Sequence, residues 1–125
     1  MKHNLNILHV EDNQDDAVLI RRELFKFDLE IYYKLVDDAQ SLTASLKEKK
    51  WDIVICDFTL PSFSGLDALK IIRDYDFELP VIFVSSTMDD HIVSLVLNEG
   101  AFDYVGKNNL VKLIPAIRQY FQNNN

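Results

Sequence analysis

The chain has 125 residues, 48% apolar and 26% charged, which suits one globular domain, taken as residues 1–125, with no room for a second core. A formal net charge of −7 argues against direct binding of nucleic acid or of an anionic membrane by this domain. No apolar run nears the roughly 20 residues of a membrane span, the N-terminus lacks a secretory signal pattern, and the lone Cys56 has no internal partner, so a reducing cytoplasm is expected.

Leu5 to Val10 is a short apolar run that predicts a first strand, and Ala17, Ile20 and Leu24 recur at helical spacing behind it. Asp15 and Asp16 put negative charge near that helix's N-terminus, where the dipole favours it. Ile31 to Val36 predicts the second strand. Asp38 is placed to cap a helix carrying Ala39, Leu42 and Leu46. Ile53 to Cys56 predicts the third strand, and Ser64 with Asp67 forms a short capping box before Leu66, Leu69 and Ile72. Val81 to Val84 predicts the fourth strand. Its helix has an apolar arc of Ile92, Val93, Val96 and Leu97, leaving Leu95 outside the arc as an expected solvent-facing residue and a candidate partner contact. Gly100 stops that helix, and Phe102 to Val105 predicts the fifth strand. Pro115 would break a helix interior, so the last element is expected either to kink there or to follow a separate turn over Asn109 to Leu113, starting near Ile114. Gln122 to Asn125 reads as a frayed polar tail.

Five alternations of strand and helix predict an α/β fold, a doubly wound (βα)5 chain with one parallel sheet covered on both faces. The first, third and fourth strands are nearly continuously apolar, as interior parallel strands are, whereas the second and fifth are more polar and suit the edges. That is the flavodoxin-like order 2-1-3-4-5, which flavodoxin and a chemotaxis regulator exemplify.

Glu11 and Asp12 directly follow the first strand, Asp57 the third and Ser85 the fourth, while Lys107 closely follows the fifth. In a parallel sheet these ends share one edge, the edge where such folds bind ligands. Three carboxylates gathered there need a cation among them. A hard divalent ion, Mg²⁺ or Mn²⁺, suits a few carboxylates plus water, and neither His nor Cys joins with zinc-like spacing. A carboxylate beside such an ion is a competent nucleophile toward phosphorus, with the ion and an ammonium supplying charge and a hydroxyl supplying a hydrogen bond.

The segments VEDNQDD, DFTLPSFSG, PVIFVSS and GAFDYVGK resemble, in order and spacing, the signature segments of response-regulator receiver domains across essentially the whole chain. The resemblance implies that Asp57 is the phosphoacceptor. It implies Mg²⁺ held by Glu11, Asp12, Asp57 and the Thr59 backbone carbonyl, and Lys107 paired with the phosphoryl group. Ser85 would be the switch hydroxyl and Tyr104 the switch aromatic, with Thr59 and Thr87 tuning phosphoryl lifetime. The implied donor is a histidine kinase or a histidine phosphotransfer protein in a two-component system or phosphorelay. The implied output is a changed partner surface around the fourth helix, fifth strand and fifth helix. The ending DYVGKNNLVKLIPAI is most similar to receivers found alone or attached to sensor histidine kinases. One departure stands out: Asn108 replaces the proline that usually follows the lysine, leaving the geometry of that peptide open.

Competing classes fare less well. With only Gly65, Gly100 and Gly106 there is no dinucleotide fingerprint or P-loop, and carboxylates at the first strand's end would repel a phosphate. A haloacid-dehalogenase-type phosphatase expects a second aspartate where Thr59 stands. The remaining alternative is a receiver-like module that binds proteins without phosphorylation. Self-phosphorylation and dephosphorylation, rather than turnover of a substrate, is the expected activity.

Overall fold

The computed structural model describes residues 4–86 and 89–123. Five parallel strands, β1 (Asn4–Val10), β2 (Glu30–Val36), β3 (Ile53–Cys56), β4 (Val81–Ser85) and β5 (Asp103–Gly106), lie in the order β2-β1-β3-β4-β5. The helices are α1 (Gln14–Leu24), α2 (Ala39–Leu46), α3 (Gly65–Tyr75), α4 (Asp90–Asn98) and α5 (Leu113–Asn123). The doubly wound order expected from strand composition is therefore the one adopted.

Side chains of one strand alternate between two cores. Ile53 and Ile55 of β3, with Ile82 and Val84 of β4, face α1 and α5 and join Ile20, Leu24, Leu113 and Ile117. Val54 and Cys56, with Val81 and Phe83, face α2, α3 and α4 and join Leu42, Leu69, Ile72 and Val96. Burial on both faces explains why these strands show no polar alternation.

Helix starts follow the local chemistry. Asn13 caps α1 by accepting from the Asp16 N–H at 2.9 Å. Reciprocal capping boxes join Asp38 with Ser41 at α2 and Ser64 with Asp67 at α3. The last helix resolves as a separate turn. A 3-10 segment, Lys107–Lys112, is broken at Asn109 (φ −145°, ψ 48°), and α5 then begins at Leu113. Pro115 falls in the first turn of α5, where its missing N–H has no intrahelical partner to lose. Helix α5 continues through Gln122 and Asn123, so this half of the expected frayed tail is helical, and Asn124 and Asn125 lie outside the described residues.

The reading of α4 needs correction. Val96 is buried and Ile92 and Val93 are half-buried, but Leu97 is 41% exposed, whereas Leu95 is half-buried rather than solvent-facing. The helix meets the sheet along a narrow line through Val96. Leu95 and Leu97 each lie about 100° from that line and flank it on opposite sides.

Candidate functional site

The site forms where β1 and β3 end side by side. The Asp57 N–H donates to the Val10 carbonyl at 3.0 Å, so the residue after β3 is fixed next to the residue after β1. Beyond Asp57 the chain turns back on itself. Thr59 and Ser64 form an antiparallel bridge, and the Gly65 N–H donates to the Phe58 carbonyl at 2.8 Å. A side chain at Gly65 would place its Cβ 2.7 Å from Phe58 Cα, so only glycine permits this closure without a shift. Ser85 aligns with Gly106 across β4 and β5, which sets Lys107 one residue beyond that pair.

Glu11, Asp12 and Asp57 each offer an oxygen, and these lie within 4.8 Å of one another. Glu11 is fully buried, Asp57 nearly so, and Asp12 is exposed. The Lys107 ammonium donates to Asp57 Oδ2 at 3.1 Å and to Asp16 Oδ2 at 2.8 Å. It also lies 2.8 Å from Glu11 Oε1, an ion pair without hydrogen-bond alignment. Glu11 Oε2 accepts from the Asn13 N–H at 3.2 Å.

The electrostatics follow from that crowding. Burial first, with the Asp57 charge adding to it, pushes the Glu11 carboxyl up to about 7 despite the Lys107 ammonium beside it. Burial alone would lower Lys107, but the Asp16 and Glu11 carboxylates against it, with the Asp57 charge, outweigh burial and raise its pKa. His9 is pushed down to about 3 by burial and then by Lys107. The Cys56 thiol is pushed up by burial and by Asp57 and Glu11, and so stays protonated and inert. One ammonium for so many carboxylates leaves the cluster short of positive charge. Three hard oxygen donors this close fit a small divalent cation.

The predicted residues Glu11, Asp12, Asp57 and Lys107 are thus brought together. Ser85 is buried on the same edge. Tyr104 is half-buried on β5, its hydroxyl 3.4 Å from where a Gly106 Cβ would stand. Thr59 is exposed, and its N–H donates to Asp57 Oδ1 at 3.4 Å. Thr87 lies outside the described residues. The peptide joining Lys107 to Asn108 is trans.

Two features are not plainly legible in the sequence. In the sequence Asp16 is a first-turn acid, yet in the fold it holds Lys107. Its place at the third helical residue was the available signal, because side chains there reach back over the helix start. His9 lies in β1 and is fully buried. Nδ1 meets the Tyr33 hydroxyl at 2.6 Å, but buried Nε2 has no partner among the described residues.

Comparison with known proteins agrees with this geometry. A curated relative, the uncharacterized transcriptional regulatory protein YvcP of Bacillus subtilis, is 31% identical over 110 residues, which are 88% of this chain and 45% of that protein. The chain thus spans less than half of that relative's length. A two-component response regulator of the LuxR family from Aurantimonas shares the fold with a TM-score of 0.85, at 23% identity over 96% of this chain and 86% of that one. The receiver domain of sensor histidine kinase PA1611 from Pseudomonas aeruginosa, solved with magnesium in its active-site cleft, does so with a TM-score of 0.80, at 23% identity over 94% of this chain and 97% of that one. The response regulator receiver domain family matches residues 7–118, and the chain belongs to that family.

Proposed function

We propose that Asp57 accepts a phosphoryl group from a phosphohistidine, on a histidine kinase or histidine phosphotransfer protein, in a two-component system or phosphorelay. Receiver domains are phosphoacceptor signalling modules of such systems rather than enzymes of ordinary turnover. What carries the assignment to Asp57 is that Lys107 and two further carboxylates, from distant parts of the chain, converge on this one aspartate.

In the transfer, an Asp57 carboxylate oxygen attacks phosphorus as the donor's P–N bond breaks, and the leaving imidazole keeps the electron pair and takes up a proton. Mg²⁺ or Mn²⁺ held by Glu11, Asp12, Asp57 and the Thr59 carbonyl would neutralise charge on the phosphoryl oxygens. Lys107 supplies a second fixed positive charge within reach of the transferred group. The Ser85 hydroxyl then hydrogen-bonds a phosphoryl oxygen, Tyr104 follows it inward, and the surface around α4, β5 and α5 changes its partner preference. By resemblance to the family, Thr59 and Thr87 would tune the lifetime of the acyl phosphate.

Incubation with Mg²⁺ and acetyl phosphate, read by intact mass, tests the assignment. The wild type is expected to gain one phosphoryl group and Asp57→Asn none. A wild type that gains nothing, or an Asp57→Asn variant that still gains it, would refute the reading.

A further inference from the structure

Three carboxylates surround the Lys107 ammonium, and one of them belongs to neither the acceptor nor the metal cluster. Asp16 Oδ2 lies 2.8 Å from Lys107 Nζ, closer than Asp57 Oδ2 at 3.1 Å, and makes an aligned hydrogen bond where Glu11 makes only an ion pair. We propose that Asp16 is a positioning residue, which anchors Lys107 beside Asp57 from the α1 side and keeps it there as the acceptor's own charge changes. This rests on the reading of Asp57 as acceptor.

Lysine is a point charge on a flexible four-carbon stem, with three N–H donors that need fixed acceptors to hold one position. Of its three carboxylate partners here, two are altered by the chemistry. Phosphorylation turns an Asp57 oxygen into the bridging oxygen of an acyl phosphate and moves the negative charge from the carboxylate onto the phosphoryl oxygens. Glu11 belongs to the cluster of donors whose charge a divalent cation would share. Asp16 alone keeps both its charge and its place. Its backbone N–H is tied to the Asn13 cap at 2.9 Å, so the side chain leaves a rigid first turn. The positive end of the α1 dipole favours an acidic residue at this place. Its side chain is 34% exposed, against 12% for Lys107, which sets it outward of the ammonium at the rim of the site.

The plainer role for Asp16 is as a first-turn acid that merely favours the helix dipole. Asp15 is an internal control for that role, because it stands in the same turn and is exposed, while the Lys107 ammonium pairs with Asp16, Glu11 and Asp57. In ¹⁵N-labelled, metal-free protein, the Lys107 ammonium is expected to give an exchange-protected ¹H–¹⁵N signal in wild type and Asp15→Ala. In Asp16→Ala that signal should be lost. Asp16→Asn, which retains an acceptor oxygen, should restore it at least in part. With Mg²⁺ and acetyl phosphate, Asp16→Ala should accept the phosphoryl group about tenfold more slowly, Asp16→Asn less slowly, and Asp15→Ala at the wild-type rate. An Asp16→Ala variant with an intact Lys107 signal and a wild-type or faster rate would overturn the proposal. So would equal slowing by Asp15→Ala, which would reduce Asp16 to a dipole acid. If the wild type took up no phosphoryl group, the acceptor assignment would fail, while the Lys107 signal in metal-free protein would still decide whether Asp16 is the anchor.

Discussion

The two ends of the sheet solve opposite problems with the same strands. At the end where the strands begin, polar groups are satisfied inside the protein. The Asn6 N–H donates to Asp52 at 2.7 Å and its amide to the Lys50 carbonyl at 3.0 Å. Arg73 reaches from α3 to the Leu79 and Gly100 carbonyls at 2.6 and 2.7 Å, and more loosely to Asp76. At the end where the strands finish, acids are buried in excess of the one ammonium that faces them. One end closes loops. The other stores unbalanced charge, which is what a site for a cation and a phosphoryl group requires, at some cost to the resting fold.

The largest expected effect is a pH dependence that arises at the charged end. The unfolded chain protonates His9 near 6.5 but the folded one only near 3, so the unfolded state binds the extra proton between those values. That stability is complete above about pH 6.5 and is lost as pH falls, by about 5 kcal/mol over the whole window. Glu11 acts in the other direction. Its folded value near 7 lies above the ordinary 4.5, so the folded state holds the extra proton, and about 3 kcal/mol is lost as pH rises through that window. Urea unfolding of metal-free protein should therefore show little net slope from these two groups between pH 4.5 and 6.5, and a fall below 4.5. His9→Asn should leave the Glu11 protonation unopposed, so that stability improves as pH drops from 7 to 4.5. A variant that keeps the wild-type profile would remove the proposed opposition.

The next effect tests the quiet end. Arg73→Ala leaves carbonyls of the α3–β4 and α4–β5 connections without their donor and should cost about 2 to 3 kcal/mol in urea unfolding. Its thermal shift on adding Mg²⁺ should match the wild type's, because the charge imbalance lies at the far end of the strands. The smallest effect tests the charged end directly. Mg²⁺ at ten times its dissociation constant should stabilise the wild type by about 1.4 kcal/mol. Asp12→Asn, which removes an exposed oxygen donor without touching the buried contacts, should shrink that gain toward zero in the same thermal scan.

Much of this was legible in the residues because parallel topology converts sequence into place. Val54, Ile55, Ile82 and Phe83 read as buried strands since both faces are covered, and any polar residue just past such a run must stand on the shared edge. That logic found Glu11, Asp12, Asp57, Ser85 and Lys107. It failed where contact depends on the reach of a side chain rather than the position of a backbone. Nothing in Arg73's neighbours announces that its guanidinium spans to Gly100, and Asp16 was one of two adjacent acids until the helix phase chose it for Lys107. The exposures of Leu95 and Leu97 were misjudged for a related reason. Periodicity gives the apolar arc of α4 but not how wide a strip of it the sheet covers.

Lys107 stands fifty residues after Asp57 and ninety-one after Asp16. During synthesis Glu11, Asp12, Asp16 and Asp57 therefore emerge well before the ammonium that offsets them. A partly made sheet brings like charges together with no counterweight, and docking β5 is what relieves the repulsion. The same electrostatic tension that readies the pocket for a phosphoryl group thus ties the early strands to the last one.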